Sequence, residues 1–180
     1  MNVNKLKLLL KHLWFDASDA RRAIAPDVLE RLADRVTASE IRHCGQIRIY
    51  VEAALPLSYL WRLGISQSLS QLIRQRALMM FGKLRVWDTE RNNGVLIYLQ
   101  LAEHAIEIVA DRGLSNHVTE QQWQVILSSM RSAFVQHRFE EGLTQAIDEV
   151  SGRLIQYFPV SATAAGEERI NELPNEPVVG

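Results

Sequence analysis

The clearest patterns in the chain are two runs of strand character separated by a helical stretch. Residues 47–53 alternate apolar and polar side chains at first, which predicts a strand with one buried face. Residues 95–101 are almost continuously apolar, which predicts a strand buried on both faces and central in a sheet. Residues 57–85 carry helical spacing with a break near Gly64. A strand–helix–strand unit of this length predicts parallel pairing through a right-handed crossover.

The remaining patterns predict a hairpin and four helices. Residues 102–104 are short enough for a hairpin turn, so residues 105–111 should return antiparallel. Helical spacing predicts helices over residues 4–15, 26–43 and 138–157, and another that begins with the capping box formed by Thr119 and Gln122. The predicted fold class is α/β: a mixed β-sheet of about three to four strands, with a parallel β-α-β crossover and an antiparallel hairpin, flanked by helices on both faces.

These elements divide the chain into three segments. Residues 1–19 form an N-terminal amphipathic helix, residues 20–158 form the domain, and residues 159–180 form a tail. The tail contains Pro174, Pro177 and several glutamates but little apolar periodicity, so we expect it to be disordered. The alternative is that residues 173–179 form a docking motif.

The N-terminal helix allows two interpretations. Leu6, Leu9, Leu10 and Leu13 form one apolar stripe with Trp14 beside it, and lysines interrupt the stripe. Residues 4–15 could make a peripheral membrane contact, with the lysines on lipid headgroups and Trp14 at the boundary. The alternative is a helix that packs on its own domain or on a partner.

Composition and charge narrow the function classes. A net charge of −1 argues against nucleic-acid binding through bulk charge, so no nucleic-acid partner is expected. The single cysteine, Cys44, rules out an intramolecular disulfide and favours a reducing compartment. We find neither a run of about twenty apolar residues nor a convincing signal peptide. We therefore expect a cytoplasmic protein, membrane-associated if residues 4–15 bind lipid.

The candidate site is a polar loop, residues 88–94, that leads into the second strand. In the predicted hairpin, Val95 lies opposite Ala110 or Asp111, so this loop and residues 111–113 share one edge of the sheet. Oxygen-bearing side chains of this kind suit Ca²⁺ or Mg²⁺ rather than zinc. The alternative is a solvated turn in which Asn93 and Gly94 supply positive φ. The predicted metal ligands are Asp88, Glu90, Asn92, Asn93, Asp111 and Glu120.

Motifs of the common enzyme classes are missing from the sequence. It contains no phosphate-binding G-x-x-x-x-G-K-[ST] loop, no G-x-G-x-x-G, no G-x-S-x-G and no H-E-x-x-H. Cys44 follows His43, but adjacent residues rarely form a nucleophile–base pair. Catalytic residues therefore remain unknown.

Several segments together resemble the TPM domain family, over about residues 20–158. They are residues 46–51, Asn93-Gly94-Val95-Leu96-Ile97, residues 105–109, Asp111-Arg112-Gly113-Leu114, and residues 133–143. The resemblance implies a mixed sheet flanked by helices. For some members it implies divalent metal binding near the Asn-Gly loop, which would fall on Asn93 and, less directly, on Asp111. It also implies the phosphatase activity attributed to plant members. Two features depart from the family: the signal peptide and membrane helix common there are not found, and Asp111-Arg112-Gly113 replaces a tyrosine-containing glycine turn.

These observations favour a TPM-like interaction or assembly-support domain of a bacterial cell. It would contact an unidentified protein partner and bind a divalent cation at the 88–94 loop. The alternative is a weak metal-dependent phosphatase acting on phosphomonoesters, in which the cation polarises the phosphoryl group and Asp111 positions water.

Overall fold

The computed structural model describes residues 3–63, 67–160 and 171–180. The predicted break near Gly64 lies outside these residues. The helices are α1 (Val3–Trp14), α2 (Ala17–Ala23), α3 (Pro26–Glu40), α4 (Leu57–Leu60), α5 (Leu69–Lys83), α6 (Arg112–Ser115), α7 (Glu120–Val135) and α8 (Phe139–Tyr157). The strands are β1 (Gln46–Glu52), β2 (Gly94–Gln100), β3 (Ala105–Ala110) and β4 (Val178–Val179). None of the described helices is long and apolar enough to cross a membrane.

The strands form one mixed sheet in the order β3-β2-β1-β4. Strands β1 and β2 are parallel, with Gln46 opposite Gly94, as the crossover predicts. Strands β2 and β3 are antiparallel, with Val95 opposite Ala110, which confirms the predicted hairpin and its register. The predicted α/β fold with a mixed sheet is therefore confirmed.

The sheet separates two hydrophobic cores, so helices cover both of its faces. On one face α2, α3, α7 and α8 pack against alternate residues of the strands, and this is the larger core. On the other face α4 and α5 pack against Tyr50, Leu96, Tyr98 and Val109. The apolar face of α7 is buried, and so is that of α8 apart from the half-buried Tyr157.

The prediction that β1 has one buried face is wrong, because all seven of its residues are buried. Its polar residues Arg48 and Glu52 lie on the α5 face of the sheet. Arg48 donates to main-chain carbonyls of residues 174 and 176, and Glu52 accepts hydrogen bonds from Arg76 and Tyr98. Polar groups can be buried at modest cost when they are hydrogen-bonded, so the alternating pattern did not mark an exposed face here.

The prediction of a disordered tail is wrong for residues 171–180. Val178 and Val179 form β4, parallel to β1, and Leu173 is buried in the core on the α5 face. Three apolar residues and a set of main-chain hydrogen bonds hold this segment, which is too little to produce visible periodicity. Residues 159 and 160 lie beside the start of β1, where Pro159 forms a bridge with His43. Residues 161–170, part of the same prediction, lie outside the described residues.

Helix α1 packs on the domain, but of the predicted stripe only Leu9 takes part. Leu6, Leu10, Leu13 and Trp14 are exposed, and Leu8 packs against the core beside Leu9. The buried His12 fixes this rotation of the helix. Its Nδ1 accepts from the Leu55 amide at 3.0 Å, and its Nε2 lies 3.1 Å from Glu103 Oε1. The helix therefore packs on its own domain, and it leaves Leu6, Leu10, Leu13 and Trp14 uncovered by the described residues.

Candidate functional site

The loop of residues 88–93 makes a tight turn just before β2. Asn92 adopts positive φ, at 52°, so the prediction that Asn93 and Gly94 supply positive φ is wrong. Asparagine tolerates this region better than most residues, and the Thr89 carbonyl accepts from the Asn92 amide at 3.1 Å. Gly94 is needed for a different reason: a Cβ there would lie 2.0 Å from the Val86 carbonyl oxygen.

Asn93 joins the beginnings of β1 and β2. Its side chain is fully buried, and its Nδ2 donates to the Cys44 carbonyl at 3.0 Å. Its backbone amide donates to Thr89 Oγ1 at 3.1 Å, and its carbonyl accepts from the Gln46 amide at 3.4 Å. The remaining polar atom, Oδ1, is buried and has no hydrogen-bond partner among the described residues.

Asp111 lies across the hairpin from Gly94, the residue that follows Asn93. Its amide donates to the Gly94 carbonyl at 2.9 Å, and its Oδ1 caps α6 by accepting from the Arg112 amide at 2.7 Å. Its other oxygen, Oδ2, is also buried without a hydrogen-bond partner in the part of the chain that the structure describes. Asn93 Oδ1 and Asp111 Oδ2 are thus two buried acceptors on chain stretches that the hydrogen bond between Asp111 and Gly94 joins.

Arg112 and Gly113 fix the loop against α6. Arg112 donates to Asn92 Oδ1 from Nε at 2.9 Å and from Nη2 at 2.6 Å. The Gly113 amide donates to the Asn92 carbonyl at 2.8 Å, and a Cβ at Gly113 would lie 2.4 Å from that oxygen. We call Asn92, Asn93, Asp111 and Arg112 the Asn93–Asp111 junction. The sequence prediction did not include Arg112 in the site. Its position between Asp111, which caps α6, and the close-packed Gly113 is the sequence feature that could have indicated it.

The other three predicted ligands make different contacts. Asp88 is half-exposed and forms an ion pair with Arg85. Glu90 is exposed, and its amide is bonded to the Glu172 side chain. Glu120 pairs with Arg74 of α5 at 3.1 Å, because α6 and the following turn carry the start of α7 towards that helix. The structure thus brings together Asn92, Asn93 and Asp111 of the six predicted residues.

The ligand set at the junction is limited. Within residues 3–63, 67–160 and 171–180, no three His, Cys, Asp or Glu side chains are grouped so that they could hold a metal ion. A cation at the junction would therefore be bound by Asn93 Oδ1 and Asp111 Oδ2 together with water or main-chain oxygens. Asn92 Oδ1 is already occupied by Arg112.

A second polar region lies in a cleft of about 680 Å³ between α5, β3 and α7. Burial raises the pKa of Glu107 above its usual value there, and Arg74 lies beside it. Arg74 also donates to the Ile108 carbonyl at 2.7 Å and pairs with Glu120, so it ties the two helices to the edge strand. The charges of the cleft are largely used in holding these elements together, which favours a structural role.

Comparison with known proteins agrees with this architecture. The family profile of the TPM domain matches residues 18–153. The NMR structure of BA42 protein from the psychrophilic bacterium Bizionia argentinensis superposes with a TM-score of 0.69 at 24% identity, over 87% of this chain and 95% of that one. At this identity the likeness shows the fold alone. No curated protein matches the chain significantly. The family match covers most of the chain, and the chain therefore belongs to the TPM domain family.

Proposed function

We propose that this TPM domain is an interaction or assembly-support module that binds a divalent cation, Ca²⁺ or Mg²⁺, at the Asn93–Asp111 junction. The observation that carries the proposal is the pair of buried oxygens, Asn93 Oδ1 and Asp111 Oδ2, neither with a hydrogen-bond donor among the described residues. Leaving such an atom unsatisfied costs about 1–3 kcal/mol. A ligand that satisfies both oxygens would recover part of that cost.

The chemistry of the two atoms favours a hard cation. Both are oxygens that accept and cannot donate while Asp111 is ionised, and oxygen ligands suit Ca²⁺ and Mg²⁺. The orientation of the Asn93 amide supports this choice. Turning the amide over would place its oxygen against the Cys44 carbonyl, so Nδ2 must point there and Oδ1 must point away.

The charge of the junction limits the affinity. Asp111 contributes one carboxylate, and the guanidinium of Arg112 lies next to it on Asn92. Sites with few charged ligands bind Ca²⁺ with dissociation constants of about 10⁻⁴ to 10⁻³ M. We expect the junction to fall in this range.

Isothermal titration of the full chain with CaCl₂ and MgCl₂ tests the cation site. Asp111→Asn keeps the size and helix-capping ability of the side chain but removes its charge, so it should weaken binding at least tenfold. Asp88→Asn is the matched control, because Asp88 is in the same loop but pairs with Arg85, and it should change the affinity less than twofold. Silent titrations at millimolar cation, or equal effects of the two variants, would contradict the proposal.

Exposed aromatic residues support the interaction role. Trp87 directly precedes the loop and is 50% exposed, and tryptophan is enriched among the residues that contribute most to protein interfaces. Trp87 is therefore the residue we expect an unidentified protein partner to contact.

A further inference from the structure

The outer edge of β1 holds residues 171–180, which we call the 171–180 segment, largely through main-chain contacts. Tyr50 pairs with Val178 and Val51 with Val179 in the parallel register. The Gly180 amide donates to the Val51 carbonyl at 2.9 Å, and the Ala53 amide donates to the Gly180 carbonyl at 3.1 Å. Such contacts recognise an extended backbone and need no particular side chains.

Two buried polar side chains of β1 extend this recognition along the segment. Gln46 Oε1 accepts from the amides of Glu172 and Leu173, each at 3.0 Å. Arg48 Nη1 donates to the Glu176 carbonyl at 2.8 Å and also to the Pro174 carbonyl. A buried amide or guanidinium is costly without partners. The sequence of β1 thus provides a donor and an acceptor that fit the main chain of this segment, which bends at Leu173 and Glu176.

Apolar contacts supply the side-chain selectivity. Leu173 is only 6% exposed and Val178 packs against the same core on the α5 face, while Val179 packs against the larger core. Pro174 and Pro177 have no amide hydrogen, and this fits a segment in which Arg48 donates to carbonyl oxygens, those of Pro174 and Glu176. The pattern that fits is therefore Leu-Pro-x-x-Pro-Val-Val, with bends at Leu173 and Glu176 and a strand at the two valines.

We propose that the edge of β1 is a peptide-binding groove, that the 171–180 segment of the same chain is its resident occupant, and that the groove accepts the same segment of a second copy. The mode is strand addition to a sheet edge. Only two residues of β4 pair with the seven of β1, so the occupant is held by a short ladder and can be exchanged. The proposal goes beyond the cation site and does not depend on it.

The test uses the full chain with its own segment disabled. Leu173→Asp combined with Val178→Asp removes both apolar contacts on the α5 face without changing β1, and circular dichroism verifies that the variant is folded. The probe is a fluorescently labelled synthetic peptide with the sequence of residues 171–180, and anisotropy is measured in EDTA so that no cation contributes. The variant should bind the peptide. The unaltered chain should bind it at least tenfold more weakly, because its own segment competes at an effective concentration in the millimolar range.

Two controls link the binding to the groove. Gln46→Ala, added to the disabled variant, should weaken peptide binding at least tenfold, whereas Gln121→Ala on the exposed surface of α7 should leave it unchanged. A peptide with Asp in place of Leu173 should not bind. Leu173→Ala alone gives a milder variant, with intermediate binding, in case the double substitution impairs folding. A folded variant that does not bind the peptide, or equal binding by the variant and the unaltered chain, would overturn the proposal.

Discussion

The buried ion pair between Arg76 of α5 and Glu52 of β1 offers a quantitative test of the packing on that face of the sheet. Arg76 Nε lies 3.0 Å from both carboxylate oxygens of Glu52, and the Tyr98 hydroxyl donates to Oε2 at 2.6 Å. Glu52 is 4% exposed. Burial lowers the pKa of Arg76, but the hydrogen bonds to Glu52 outweigh it and raise the pKa above its usual value. Burial, together with the Glu52 charge, raises the pKa of Tyr98.

Arg76→Met removes the guanidinium but keeps much of the apolar stem, so the buried Glu52 carboxylate is left with the Tyr98 hydroxyl as its side-chain partner among the described residues. Removing one partner of a buried pair destabilises a protein by about 3–5 kcal/mol. The additional substitution Glu52→Gln should recover part of this loss, because no uncompensated charge is then buried.

A matched control is available on the surface. Arg35 makes the same two-pronged contact with Asp148, at 3.0 and 2.6 Å, but the two side chains are 45% and 49% exposed. Exposed pairs contribute about 0–1 kcal/mol, so Arg35→Met should have little effect. Urea unfolding compares the midpoints and slopes of the variants. Losses for Arg76→Met and Arg35→Met that agree within about 0.5 kcal/mol would refute this reasoning, since they would show that burial does not set the cost.

Three further predictions concern α1 and the alternative function. Burial raises the pKa of Glu103, but hydrogen bonds from His12 and Lys11 outweigh it and hold the pKa below its ordinary value of 4.5. The contact of α1 with the domain should therefore be stable above pH 4.5 and weaken as the pH falls through the lowered pKa of Glu103. Hydrogen exchange measures this, and protection of the α1 amides that does not decrease over that pH range would contradict the prediction. Vesicles with anionic lipid should retain the full chain, and Leu10→Ser with Trp14→Ser should abolish this retention. Val125→Ser should not, although Val125 on α7 is 70% exposed; retention unchanged by the double substitution would exclude α1 as the contact. A generic phosphomonoester should not be turned over; turnover that survives repurification and is lost in Asp111→Asn would favour the phosphatase alternative.

The hairpin and its register could be predicted from the sequence because the contacts involved are local. A continuous apolar run, a three-residue turn and a second apolar run leave little choice of pairing, and Val95 lies opposite Ala110 as expected. That register in turn placed Asn93 near Asp111, which is the part of the candidate site that the structure brings together.

The features that could not be predicted depend on contacts between distant parts of the chain. The polar face of β1 is buried because its partners come from α5, β2 and the 171–180 segment, and nothing within residues 46–52 indicates them. The 171–180 segment is held by its backbone and a few apolar side chains, which leaves no periodic pattern. The separation of Glu120 from the loop follows from α6, a four-residue helix too short to be read from periodicity.

The rotation of α1 was missed for a related reason. Hydrophobicity alone predicts that the face with Leu6, Leu10 and Leu13 is buried. In the structure the His12 side of the helix is buried, and the two ring nitrogens of His12 are hydrogen-bonded to the Leu55 amide and the Glu103 carboxylate. A satisfied buried histidine therefore decided which face is covered, and the more apolar face remained exposed.

The most direct test of the cation site is an NMR titration of the ¹⁵N-labelled full chain with Mn²⁺, whose unpaired electrons broaden nearby signals. We expect the signals of the Asn93 side-chain amide and of the backbone amides of Gly94 and Arg112 to broaden first, and excess Ca²⁺ or Mg²⁺ to restore them. Asp111→Asn should remove this selective effect. Broadening that begins instead at exposed carboxylates such as Asp148 or Glu140, with the Asn93 side-chain signal unchanged, would contradict the central claim.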